Sequence, residues 1–231
     1  MSHRMIIIAV ALTLVTLAAV SCQKAEKEEP QAIVESEVWV APDSLVFEQV
    51  WLYFTDKPEV NFEKTISDLD AESPERAAHD LQTASAYLKI EAARARGDSR
   101  KALRASIREL EDTADQIEGG TVVETSEMER IFARAHYALA EHHYRRAAAL
   151  WRSKEQIKAG EELDVAVTHL EHGLGWVTHH EYETRPPWLQ AVAETAGEMT
   201  EGKLMKPETV KEAMTGMEQG LGDLRTRLEQ A

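Results

Sequence analysis

Apolar residues recur along most of the chain in alternating four- and three-residue steps, the period of one face of an α-helix. Leu103, Ile107, Leu110, Ala114 and Ile117 follow this spacing, as do Val210, Met214, Met217, Leu221, Leu224 and Leu228. Punctuation between the periodic stretches sets the elements. Pro42-Asp43-Ser44 and Pro58 each precede a short helical pattern, over Leu45 to Tyr53 and over Phe62 to Leu69. Ser73-Pro74-Glu75 combines an N-cap, a proline at the first helical position and an acid in the first turn, so a third helix runs from there to about Arg96. Gly97-Asp98-Ser99 then recaps the chain for a fourth helix from Arg100, which Gly119-Gly120 ends. A fifth is expected from about Ser126 to Arg152 and a sixth from about Glu155 to His180. Pro186-Pro187 forces a break, a seventh starts at Pro187, and Pro207-Glu208 opens the last. With β-branched runs sparse, the expected fold is all-α, built of antiparallel helical hairpins as a bundle or a short array.

Repetition supports hairpins. Ala77-x3-Leu81-x2-Ala84-x3-Leu88 recurs as Ala159-x3-Leu163-x2-Ala166-x3-Leu170. This small-x3-large step resembles the second helix of a tetratricopeptide repeat, where small residues let helices approach closely. The fifth and sixth helices are longer than that repeat's, and its Trp, Gly and Pro markers are out of register, so the resemblance implies hairpins of that kind and not a true array. Ala95-Arg96-Gly97-Asp98-Ser99-Arg100-Lys101-Ala102-Leu103 also resembles the exported helical YfdX family, which is linked to stress.

The N-terminal segment has a different pattern. Arg4 precedes an apolar run from Ile6 to Val20, which fits the core of a signal peptide and falls short of the roughly 20 residues of a spanning helix. Ala19-Val20-Ser21-Cys22 resembles the lipobox of bacterial lipoproteins, with Ala19 where Leu is usual. The resemblance implies cleavage after Ser21 and acylation of Cys22, the only cysteine of the chain. It also implies stable anchoring, since that takes more than one chain or signal. Gln23 after the cysteine implies, by the enteric sorting pattern, the outer membrane facing the periplasm. The expected organisation is therefore a signal peptide over 1–21, a lipidated Cys22 with a flexible tether over 22–36, and a helical domain over 37–231. Gln23 to Ser36 is polar, rich in Glu and Lys, and too poor in apolar residues to fold alone.

Composition narrows the functional classes. Across 231 residues, 26 Lys and Arg stand against 41 Asp and Glu, a formal charge of -15 that argues against nucleic acid as a partner. A single Cys excludes an intramolecular disulfide and Cys-x-x-Cys-His haem attachment. No Gly-x-Ser-x-Gly and no phosphate-cradling glycine loop occurs, so no enzymatic activity is expected. Chemistry, if present, belongs between His136 and His180, which hold seven of the nine histidines. On the sixth helix Val165, His169, His172, Trp176 and His179 lie opposite the main apolar face of Leu163, Val167, Leu170, Leu174 and Val177. One reading makes this second stripe interface histidines beside a half-exposed aromatic face. A second makes His169, His172, Trp176 and His179 a groove for a protein partner. A third makes the hairpin a metal or haem site, with His169 and His172 at i,i+3 chelating one ion and His143 or His136 adding a ligand. His136 and His143, about 10.5 Å apart along the helix, cannot share one ion. The leading expectation is a lipid-anchored binding or scaffolding module with no cofactor beyond its lipid. The Val210 to Leu228 stripe is expected to pack on its own domain or to form a homodimer seam.

Overall fold

The computed structural model describes residues 56–178 and 185–230, and among these the chain forms seven α-helices and no strand. They are α1 (Lys57–Asp70), α2 (Pro74–Arg94), α3 (Gly97–Glu118), α4 (Thr125–Arg152), α5 (Gln156–Val177), α6 (Pro187–Thr200) and α7 (Pro207–Gln230). The expected helix over Leu45 to Tyr53, the signal peptide, Cys22 and the tether all lie outside the described residues.

Each helix packs on the next in sequence, and α7 returns onto α4 and α5. Short, sharply closed connections enforce this order. At the end of α4, Lys154 takes a left-handed φ of 62°, its N–H donates to the Trp151 carbonyl at 3.0 Å, and the Glu155 N–H donates to the Leu150 carbonyl at 3.0 Å. These two bonds define a Schellman motif, which satisfies carbonyls that the last turn leaves unpaired. Glu72 after α1, Gly120 after α3 and Gly202 after α6 occupy the same position with the same pair of bonds. The α2–α3 connection is built otherwise. Helix α2 stops at Arg94, two residues short of expectation, and α3 starts at Gly97, not Arg100. Arg100 closes the join by donating Nε–H to the Ala95 carbonyl at 2.7 Å.

The repeated small-large register is the packing register. Ala77, Leu81, Ala84 and Leu88 on α2 and Ala159, Leu163, Ala166 and Leu170 on α5 are all fully buried. Alanines at the contact bring helix axes together while the leucines fill the space beside them. One core joins α1 to α4 around Phe62, Leu81, Leu110 and Phe132, and the second joins α4 to α7 around Leu163, Leu189, Met199 and Met217. Helix α4 serves both, with Met128 and Phe132 in the first and Tyr137, Tyr144 and Trp151 against the second, as expected of a helix covered on two sides.

The C-terminal stripe faces inward. Val210, Met217, Leu221 and Leu224 are buried in the second core, and Met214 and Leu228 pack against it. Most of the apolar stripe from Val210 to Leu228 is therefore taken up by packing on its own domain, the first of its two expected roles. Gly220 lowers the helix propensity of α7 but sits where a Cβ would collide with the Trp188 indole of α6 and with Leu170 of α5, so it permits the close approach of α7 to both.

Candidate functional site

The histidines of α4 and α5 face each other inside the hairpin. His136, His142 and His143 on α4 and His169 on α5 are each no more than 2% exposed, an uncommon density of imidazole for an interior. Glu59 of α1, Glu91 of α2 and Glu162 of α5 are buried among them. Polar groups in such a place are held by partners, and the partners divide into two linked halves.

The first half centres on Glu59. Its Oε2 accepts Nε2–H of His136 at 2.9 Å and the indole Nε1–H of Trp176 at 2.8 Å, while Nδ1 of His172 stands 3.4 Å from Oε1. A carboxylate only accepts, so the proton of His136 is on Nε2 and its Nδ1 carries a lone pair. That lone pair is 3.3 Å from Nδ1 of His169, which must be the donor, leaving Nε2 of His169 bare. Burial pushes the Glu59 carboxyl up, but its bonds from His136 and His172 outweigh this and hold it well below the usual carboxylate range. Burial pushes His136 down in spite of Glu59. It pushes His169 far down, with the His136, His143 and His172 rings adding to the effect. His172 goes the other way, because Glu59, Asp56 and Glu171 together overcome its burial. Two neutral rings and one readily charged ring thus surround one carboxylate. Phe62 stacks on Phe132 at a centroid distance of 4.2 Å, and Phe132 meets Trp176 edge-on at 5.0 Å, closing this half with aromatic rings.

The second half is built on Glu91 and Glu162. His143 donates Nδ1–H to Glu162 Oε2 at 2.7 Å, and Arg146 holds the other oxygen of Glu162 at 2.5 Å. Arg94 donates to Glu91 Oε1 at 2.9 Å. Glu91 Oε2 faces Nε2 of His142 at 3.4 Å and Nε2 of His143 at 3.8 Å, and neither contact has hydrogen-bond geometry. Burial raises the Glu91 carboxyl, and the facing His142 and His143 with Arg94 bring it down to about 2. The same opposition, with His143 and Arg146 prevailing over burial, lowers Glu162. The rings of His143 and His169, 5.7 Å apart, join the two halves.

Several expectations change. The stripe of His169, His172 and Trp176 is not half-exposed: His169 is fully buried and Trp176 is 4% exposed, because α1 covers it with Glu59 and Phe62. A docking groove on these side chains has no accessible surface except at His172, and His179 lies outside the described residues. His143, His169 and His172 do not converge as one ligand set, since each is engaged elsewhere: His143 with Glu162, His169 with His136 and His172 with Glu59. Among the described residues no three His, Cys, Asp or Glu already surround one point. A pocket of about 200 Å³ beside Glu59 and His172, lined also by Glu171 and Arg185, is smaller than the roughly 300 Å³ at which small-molecule sites begin. The carboxylate members are not visible in sequence. Glu59, Glu91 and Glu162 look like any acid on a helix, and only Glu162, seven residues before His169 on the same face, carries a signal of its own.

No helix among the described residues is long and apolar enough to cross a membrane. Compared with known proteins, the chain matches no family model, no curated protein and no solved structure.

Proposed function

We propose that this chain is a lipid-anchored helical protein of the bacterial cell envelope that works as a binding or scaffolding module. The observation that carries the reading is the sequence Ala19-Val20-Ser21-Cys22 with the sole cysteine at its end, set ahead of a polar tether and a helical body. A lipid on Cys22 holds the body near a membrane, and the tether lets it stand away from it. The body suits a passive mechanical role. Among the described residues, buried alanines and leucines in one repeated register on α2 and α5 allow close helix packing, and the polar interior ties α1 to α4 and α4 to α5 by bonds to carboxylates. The excess of acids over bases favours a basic or neutral protein partner over an anionic surface.

Mass spectrometry of the mature N-terminus tests the anchor. The expected product begins at an acylated Cys22, and Cys22→Ala moves the protein out of the membrane fraction while its helical circular dichroism is unchanged. An unmodified Cys22, or a mature chain that keeps residues 1–21, overturns the reading. Cross-linking from exposed positions in intact cells should then give a discrete adduct that the Cys22→Ala protein does not form. Absence of any adduct would reject the module.

A further inference from the structure

The charge of the chain is unevenly placed. Residues 94–108 hold five Arg and one Lys against the single acid Asp98, a net charge of +5, while the rest of the chain carries -20 and the whole -15. These cations span the α2–α3 join and the first turns of α3. Arg100, Arg104 and Arg108 recur every four residues along α3, with Arg96 just before it. Like charges at that spacing repel one another, and cations near a helix N-terminus oppose its dipole. The fold does little to offset either effect. Among the described residues Arg96, Lys101, Arg104 and Arg108 make no ion pair, and Asp98 leans away, 3.9 Å from Arg145 of α4. Arg100 spends two of its N–H groups on the Ala95 and Ala93 carbonyls, at 2.7 and 3.5 Å, which leaves three to donate elsewhere.

Part of this charge lines a groove. Between α2 and α3 lies a depression of about 390 Å³, with the buried Ala92 and Ile107 beside the cations Lys89, Arg100 and Arg104. It is larger than the roughly 300 Å³ at which small-molecule sites begin. Lys89 is held by Glu111 of α3, so Arg100 and Arg104 are the cations with donors to offer.

We propose that this groove binds a soluble phosphate monoester, its phosphate between Arg100 and Arg104 and its apolar part against Ala92 and Ile107. A phosphate monoester brings close to two negative charges at neutral pH and three acceptor oxygens, which guanidinium forks match in pairs. Its charge relieves the repulsion along the Arg100, Arg104 and Arg108 ridge. A compact anion meets the +5 patch alone, whereas an extended one, a bilayer surface or a nucleic acid, would also meet the acids of the rest of the chain. The site needs neither the lipid on Cys22 nor a protein partner, so anchoring and phosphate binding can each fail without the other.

The test is a titration of the full mature protein with phenyl phosphate, followed by calorimetry and by the arginine Nε–H resonances. The expected result is one saturable equivalent that shifts Arg100 and Arg104 ahead of the other arginines and weakens severalfold as salt rises from about 50 to about 200 mM. Benzoate, with a single charge, and inorganic phosphate, with no apolar part, should each bind more weakly. Arg104→Gln should weaken binding about tenfold or more, the loss of one charge-assisted pair. Its melting temperature without ligand should stay the same or rise, because in the free protein Arg104 only repels its neighbours. Lys206→Gln, which removes an exposed cation just before α7, should leave binding unchanged. Absence of saturable binding in the wild-type protein overturns the site, as does binding that Arg104→Gln leaves intact or that Lys206→Gln weakens equally. Benzoate bound as tightly as phenyl phosphate overturns the assignment to phosphate. Phosphatidylglycerol vesicles that capture the Cys22→Ala protein through Arg104, with phenyl phosphate unbound, would also overturn it and assign the patch to a membrane surface.

Discussion

Trp176 and Glu59, 117 residues apart in sequence, meet in the protein interior, where the indole Nε1–H donates to Oε2 at 2.8 Å. This bond joins the first described helix to the end of α5 across the intervening hairpins, and His136 shares the same oxygen. Glu59 is the acceptor on which the first polar half depends. Replacing it by Leu leaves two buried N–H groups without an acceptor, at about 1 to 3 kcal/mol each, and removes the countercharge of His172. Trp176→Phe removes one donor and keeps the edge-on contact with Phe132, so it should cost less. Urea unfolding followed by circular dichroism should therefore rank Glu59→Leu below Trp176→Phe. The reverse order would show that packing of the indole outweighs the carboxylate network.

Gly160 and Gly222 should respond oppositely to the same substitution. A Cβ on Gly160 would lie 2.7 Å from Met199 Cβ and 2.8 Å from both the Ala196 carbonyl oxygen and the Thr200 amide nitrogen. None of these can move without shifting α6 against α5, so Gly160→Ala is expected to cost about 1 to 3 kcal/mol. Gly222, inside α7, has open space where a Cβ would stand, with nothing within 4 Å. Gly222→Ala should therefore stabilise the protein by about 0.5 to 1 kcal/mol through helix propensity alone. Thermal melts of the two single variants give the comparison directly, and equal shifts would count against the tight α5–α6 contact.

The pattern of apolar positions makes the helices and their order legible because it reports on local geometry. Ala77, Leu81, Ala84 and Leu88 recur in α5 with the same spacing, and both sets are fully buried. What covers a helix is a long-range fact. His169 and Trp176 form a polar-tipped stripe opposite the main apolar face of α5, a pattern that suits either an exposed edge or a second buried interface. Glu59, far upstream on α1, decides for burial. The same limit hides Glu91, whose role depends on α2 lying beside α4 at His142 and His143. Sequence alone makes the α5 stripe look half-exposed because histidine and tryptophan each have a polar tip that can meet either water or a buried carboxylate.

Helix α4 ends with Lys154 in the left-handed region, at φ 62°, where a side chain is strained and glycine is not. Gly120 and Gly202 fill the equivalent position after α3 and α6. Lys154→Gly should therefore stabilise the protein, by up to about 1 kcal/mol, less the entropy glycine adds to the unfolded chain. Lys154→Val should destabilise it, since a β-branched residue tolerates that φ poorly. Denaturant midpoints for the two variants test the Schellman geometry of this turn, and a Gly variant less stable than the Val one would refute it.

Stability should fall as the solution is acidified below neutrality, through His136. Its ring is fully buried and faces Glu59, His169 and His172, with burial pushing its ionisation below the ordinary value of 6.5. Unfolding exposes it, so between the lowered native value and about 6.5 the unfolded chain binds a proton that the native one does not. Native stability contributed by the neutral ring is thus complete above about pH 6.5 and is lost as pH falls, at about 1.4 kcal/mol per pH unit for one proton. His169, pushed further down by burial, acts in the same window and direction, while two other neighbours act in different ones. His172, raised by Glu59, contributes stability that is complete below about 6.5 and is lost as pH rises through its raised value. Glu59, lowered, contributes stability present above its ordinary value of 4.5 and lost only in stronger acid. Urea midpoints at about pH 7 and about pH 5.5 should differ in the direction His136 and His169 set, and the His136 imidazole resonance of the folded protein should titrate below the ordinary value of 6.5. A His136 signal that titrates near 6.5 would mean that the ring reaches solvent, and the enclosed Glu59–His136–His169 chain would then be wrong.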